Sequence, residues 1–251
     1  ITQTETISNT EKKKFTKGTK IQMIYITGDM HGDKKRLSPF KLRFLNEGDT
    51  LIVCGDFGFL WDNSNAEQNY LMALGKRKYN ICFVDGTHEN FDLLNNYEIS
   101  QWNGGKVHKI FGNLYHLMRG QVYEIEGRKI FTMGGGESSD IDIRKDVNAW
   151  SKDEIPTQEE LLEGAENLEV AGYDIDIIVT HEPPLKVKNF LNLNDPNEFR
   201  VSALNAYFEE LSNDCKFRKW YFGSLHIDKY ISNSHRAIFK DIVKATTGEK
   251  V

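Results

Sequence analysis

Five short segments of this 251-residue chain share one design: an apolar run that ends in glycine, carboxylate and imidazole residues. They are Ile26-Thr27-Gly28-Asp29-Met30-His31-Gly32, Val53-Cys54-Gly55-Asp56-Phe57-Gly58 and Val84-Asp85-Gly86-Thr87-His88-Glu89, followed by Val179-Thr180-His181-Glu182 and Tyr221-Phe222-Gly223-Ser224-Leu225-His226. A side chain at the end of a strand is held by a stiff scaffold, and a neighbouring glycine lets the backbone turn sharply and a ligand come close. Carboxylate oxygen mixed with imidazole nitrogen suits Mn, Fe, Zn or Ni and suits all-oxygen calcium binding poorly. A single histidine of this kind is ordinarily structural. Five segments in succession point instead to one shared metal centre, with Asp29, His31, Asp56, His88, His181 and His226 as its candidate residues.

The elements that must position these residues alternate along the chain. Residues 21–27, 50–54, 80–84 and 175–180 read as continuously apolar strands, the pattern of a sheet covered on both faces. Residues 65–78, a short stretch from Phe91, 157–171 and 200–212 have helical spacing, with Pro156 and Thr157 as start signals for the third. Residues 34–46 are expected to be helical in part, limited by Pro39. From residue 106 four short strands (106–111, 114–118, 122–125 and 129–133) are separated by turn residues and read as an antiparallel meander. Two late strands follow at 219–223 and 236–240. Residues 1–20 form a polar, Lys-rich arm expected to be solvated, and 21–251 read as one domain of two sheets covered by helices.

Composition narrows the function classes. Hydrophobic residues are 39% and charged residues 27%, with Lys+Arg 32 against Asp+Glu 37 and a net charge of −5. No run of about 18 apolar residues exists to span a bilayer, so no membrane segment is expected. The acidic balance argues against broad nucleic-acid binding while leaving room for a local phosphate site. Three cysteines without motif spacing, and no visible signal peptide in a chain that begins at Ile1, fit a reducing, cytoplasmic compartment. Nothing in the sequence sets an oligomeric state.

The order Asp-x-His, Gly-Asp-x-x-Gly, Gly-x-His-Glu, His, Gly-x-x-His resembles the calcineurin-like metallophosphoesterase superfamily, across about residues 23–240. Residues 55–61, 83–91 and 116–122 resemble its small bacterial and phage branch. The resemblance implies an α/β fold, a two-sheet β-sandwich flanked by helices (α/β/β/α), with two divalent metals at one end. It implies that Asp29, His31 and His226 hold the first metal and that Asp56 bridges both. His181 and the residues at positions 87 and 224 would complete the second, and His88 would be the general acid. The implied activity is a hydrolase, phosphatase or phosphodiesterase, in which manganese or a similar metal activates water against a phosphate mono- or diester substrate.

Two positions depart from the family pattern. Thr87 stands where the family has Asn, and Ser224 stands where it has His. Hydroxyls are weak neutral ligands, and both changes fall on the second metal, so one tight and one weak or absent metal are expected. A rival reading is a catalytically weakened or inactive binding or assembly module on the same fold. Arg119 and Arg144 each admit two readings, a phosphate clamp or a structural role. His108 and His116, in the meander, read as structural, and Gly134-Gly135-Gly136 as a plain turn.

Overall fold

The computed structural model describes residues 22–138, 141–146, 150–192 and 201–251. The Lys-rich arm at 1–20 and Ile21 lie outside them. Strands β1 (Ile24–Thr27) and β2 (Thr50–Cys54) run parallel, and helix α1 (Asn65–Gly75) carries the chain over to β3 (Asn80–Val84), parallel again. Every residue of β1 and β2 is buried, as their unbroken apolar runs require. A single turn of helix, α2 (Phe91–Leu94), is capped by Asn90 and precedes β4 (Ile99–Trp102), β5 (Gly105–Phe111) and β6 (Leu114–Leu117). β6 pairs parallel with β3, while β4 and β5 complete that edge antiparallel.

The chain then leaves this sheet. Strands β7 (Gln121–Ile125) and β8 (Arg128–Met133) open a second one. Helix α3 (Ile141–Asp146) and a 3₁₀ turn at Lys152–Glu154 lead to α4 (Gln158–Val170), which starts on a Thr157–Glu160 capping box. Next come β9 (Asp174–Thr180), α5 (Leu185–Asn192), α6 (Ala203–Asp214) and β10 (Lys216–Phe222), then β11 (Lys229–Tyr230), β12 (His235–Ala237) and β13 (Ile242–Lys244). The strand orders are β13-β1-β2-β3-β6-β5-β4 and β11-β12-β10-β9-β8-β7. Among the described residues no helix is long and apolar enough to cross a membrane.

Side-chain alternation sorts the core into three layers. Ile52, Cys54, Val84, Ile177, Val179 and Tyr221 meet between the sheets. Their neighbours Leu51, Val53 and Phe83 face outward onto Leu71 and Leu74 of α1. Ile178 and Trp220 face Leu168 of α4 and Phe208 of α6 on the far side. This is the expected sandwich. Because β1, β2 and β3 are parallel in one sheet and β9 and β10 parallel in the other, the loops after each set leave on one side of their sheet.

The meander is corrected: 106–118 and 121–133 form two antiparallel pairs in different sheets, split where the chain crosses at 118–120. Residues 34–46 form consecutive turns rather than a helix. Leu37, Leu42 and Leu45 are buried at a spacing that turns satisfy, and Pro39 lacks the N–H a helix would use.

Phe57 is fully buried and stacks on Phe83, with ring centroids 4.2 Å apart. Phe57→Ala is expected to lower unfolding free energy by about 3–5 kcal/mol, read by urea denaturation. A loss below about 1 kcal/mol would mean that the loop after β2 is not seated on this ring.

Candidate metal centre

Asp29 follows β1 and is fully buried. Its Oδ1 accepts the Ser224 N–H at 3.2 Å. Its Oδ2 is buried with no hydrogen-bond donor aligned on it, and lies 3.2 Å from His226 Nε2. His31 Nε2 is 2.9 Å from His226 Nε2 and 3.6 Å from Asp56 Oδ2. One ligand atom from each of Asp29, His31, Asp56 and His226 falls within 4.8 Å of all the others. Two imidazole nitrogens and two buried carboxylates aimed at one point repel or compete unless a cation lies among them. The orphaned Asp29 oxygen and the mixed N/O donor set therefore fit a divalent metal of the Mn, Fe, Zn or Ni kind.

Backbone strain marks the same place. Among the described residues eight non-glycines have positive φ, and four are His31 (45°), Asp56 (43°), Ser224 (64°) and His226 (51°). Such conformations cost of order 1–3 kcal/mol each and persist where surrounding structure imposes them. Here Met30 and His31 both donate their N–H to the Asp56 carbonyl, at 2.9 and 2.8 Å, tying the first two loops together. Close approach explains two glycines: a Cβ on Gly86 would lie 2.0 Å from Asp56 Oδ1, and one on Gly223 would lie 2.1 Å from Asp29 Oδ1. Side chains at 86 and 223 would displace the carboxylates.

His181, at the end of β9, donates from Nδ1 to the Cys54 carbonyl at 3.0 Å, and its Nε2 stands 3.7 Å from Asp56 Oδ1. Burial disfavours its imidazolium, but Asp56, Asp29 and Glu182 outweigh burial and push its pKa up to about 9. Burial likewise disfavours the Asp56 carboxylate. His181 and the bonds from His88 outweigh it, and hold Asp56 well below the usual carboxylate range. His88 gives its backbone N–H to Asp56 Oδ1 at 2.8 Å and places Nδ1 3.1 Å from Asp56 Oδ2. Its ring is 39% exposed, at the mouth of the cleft. Glu89, buried beneath, accepts the N–H groups of Phe57 and Gly58 at 2.6 and 3.2 Å. Burial and the nearby Asp56 push its pKa up to about 8.

The two positions that depart from the family pattern bond to protein groups. Thr87 Oγ1 lies 3.0 Å from His88 Nδ1. Ser224 Oγ donates to Glu182 Oε1 at 2.8 Å, and Glu182 Oε2 accepts Lys188 Nζ at 2.6 Å and Asn205 Nδ2 at 3.2 Å. Glu182, Lys188 and Asn205 are all buried. Only Glu182, next to His181, carried a local sequence signal; Lys188 and Asn205 come from helices α5 and α6 and had none.

Arg119 stands behind the His88 loop. Its Nε and one terminal nitrogen grip Asp85 Oδ2 at 2.9 and 2.6 Å, and the other binds Glu160 at 3.0 Å. With 8% exposure the guanidinium is engaged by protein groups inside the fold. Asp85 also takes His116 Nε2 at 3.1 Å, and His116 Nδ1 lies 3.0 Å from His108 Nδ1. Burial and His116 lower the His108 pKa to about 4. Arg144 reaches Glu154 at 2.5 Å and donates to the Thr87 carbonyl at 3.2 Å, which places it at the edge of the cleft through backbone contact. Gly135 donates to the Asp85 carbonyl at 3.0 Å and Gly136 to the Glu154 carbonyl at 2.9 Å, so the glycine run is an irregular stretch packed under the same loop rather than a plain turn.

The sequence profile described as calcineurin-like phosphoesterase matches residues 23–230. Among solved structures, TT1561 of Thermus thermophilus is similar in fold, with a TM-score of 0.50 at 12% identity, covering 92% of this chain and 97% of that one. No curated protein sequence matches.

Arg119→Met removes the partner of a fully buried carboxylate while keeping side-chain bulk. The variant is expected to lose about 3–5 kcal/mol of unfolding free energy, measured by denaturant titration. Retention of wild-type stability would show that Asp85 does not rely on this guanidinium.

Proposed function

The chain belongs to the calcineurin-like phosphoesterase family, and on that premise we propose that it hydrolyses a phosphate mono- or diester with a divalent metal. The observation that carries this reading is the convergence of Asp29, His31, Asp56 and His226 within 4.8 Å. These residues would hold a divalent ion such as Mn, Fe, Ni or Zn, which when bound would supply Lewis acidity toward a phosphoryl oxygen and lower the pKa of a bound water. Asp29, His31, Asp56 and His226 form the tight site in this proposal. His181 and Asp56 are the strong donors left to a second, weaker one.

The protein's own groups do the rest. Asp56 orients the His88 backbone and ring together, through Oδ1 and Oδ2. In this proposal the partly exposed His88 ring hands a proton to the departing alkoxide. Arg144 bonds the carbonyl beside His88 and braces that loop. The three cysteines, all unbonded and buried, fit a cytoplasmic setting.

His88→Ala is expected to lower turnover roughly 10²–10⁴-fold on an ester with a poor leaving group, and less on a nitrophenyl ester, with metal content unchanged. Steady-state kinetics on both substrates, with elemental analysis, read this. Equal losses on the two, or loss of metal, would remove His88 from the acid role.

The protein-bonded hydroxyls of Thr87 and Ser224 favour a second reading, a binding module with a reduced metal centre. Wild-type protein should titrate with one tight divalent metal per chain. Thr87→Asn combined with Ser224→His should add a second equivalent and faster turnover, seen by calorimetric metal titration and kinetics. A second metal with no gain in turnover would support the binding module.

A further inference from the structure

A groove of about 660 Å³ runs behind the loop that carries Asp29 and His31. Phe40, Lys41 and Arg43 line one side, Lys240 and Lys250 the other, and Arg36 its inner wall. The groove shares that wall with the metal centre. Arg36 donates to the Asp29 and Phe239 carbonyls and lies over the Phe239 ring, and that ring stacks on His226 at 4.9 Å.

The charge here runs against the chain's net −5. Five cationic side chains face two acidic ones, Asp33 and Asp241. Asp241 is already neutralised, held by Arg236 at 3.0 Å and Lys250 at 2.5 Å. Lys41, Arg43 and Lys240 make no ion pair among the described residues. The side-chain contacts of Arg43 and Lys240 are to aromatic rings and one carbonyl instead. Phe40 is 73% exposed, with the Arg43 guanidinium 4.5 Å above its ring and the remainder in solvent. An aromatic platform beside unpaired cations is the chemistry that binds a nucleobase and its phosphates.

We propose that this groove binds a nucleotide, with the base against Phe40 and the phosphates on Lys41, Arg43 and Lys240. The groove volume of about 660 Å³ is in the range of small-molecule sites and admits a mononucleotide. The site is distinct from the metal centre and does not depend on hydrolysis.

Calorimetric titration of the metal-free 251-residue chain with ATP, inorganic triphosphate and adenosine tests it. ATP should bind once per chain, and each fragment at least about tenfold more weakly. Phe40→Ala should weaken ATP about tenfold or more while leaving triphosphate unchanged. Lys41→Glu with Lys240→Glu should weaken ATP and triphosphate alike, and Asp56→Asn should change neither. Circular dichroism checks that these surface variants fold. No ATP binding, or equal binding of triphosphate and ATP, would overturn the proposal. So would ATP binding lost with Asp56→Asn and kept in the groove variants. Because the titration is metal-free, its failure leaves the hydrolase reading standing, and failure of hydrolysis leaves the groove standing.

Discussion

Two buried carboxylates, Asp29 and Asp56, with ligand atoms within 4.8 Å, set the terms for everything around them. Like charges this close in a poorly solvated cleft are strongly unfavourable unless countered. The protein counters part of the charge itself. Asp56 takes His88 and the nearby His181, and Asp29 takes the Ser224 N–H. The Asp29 Oδ2 lone pairs and the facing nitrogens of His31 and His226 are left for a cation. The positive φ values at His31, Asp56, Ser224 and His226 are what it takes to bring these loops to one point.

Behind the ligands lie two buried ion pairs, each next to a ligand loop. Asp85–Arg119 sits under the loop that ends in His88, and Glu182–Lys188 follows His181 directly. Buried pairs of this kind are weak evidence for stability, but removing one partner strands a charge. Their worth here is positional. Asp85 fixes the start of the Gly86–Glu89 turn against Arg119 and His116, and Glu182 takes the Ser224 hydroxyl in a left-handed backbone. The substitution of Ser for the family's His at 224 thus joins the loop to a protein network.

The centre was readable because its parts are local. Each candidate ligand closely follows an apolar strand, and parallel pairing of β1–β3 and of β9–β10 brings those ends to matching edges. What escaped reading was non-local. Nothing near Arg119 announces Asp85, and nothing near Lys188 announces Glu182. The antiparallel strands of 105–133 carry turn signals that define pairs, and no local signal assigns β7 and β8 to the second sheet. At 34–46 the buried leucines at 37, 42 and 45 fit turns, and Pro39 with the Arg36 contacts to backbone carbonyls makes the segment a series of turns rather than a helix. Short strands such as β11 and β13, of two and three residues, are set by their partners rather than by their own composition.

The most direct measurement is anomalous X-ray scattering from crystals equilibrated with Mn²⁺. One strong peak is expected within bonding distance, roughly 2 Å, of Asp29, His31, Asp56 and His226, with any second peak near His181 weaker. Mn²⁺ absent from that point, with His31 and His226 instead hydrogen-bonded to each other across it, would contradict a metal centre built on the two buried carboxylates.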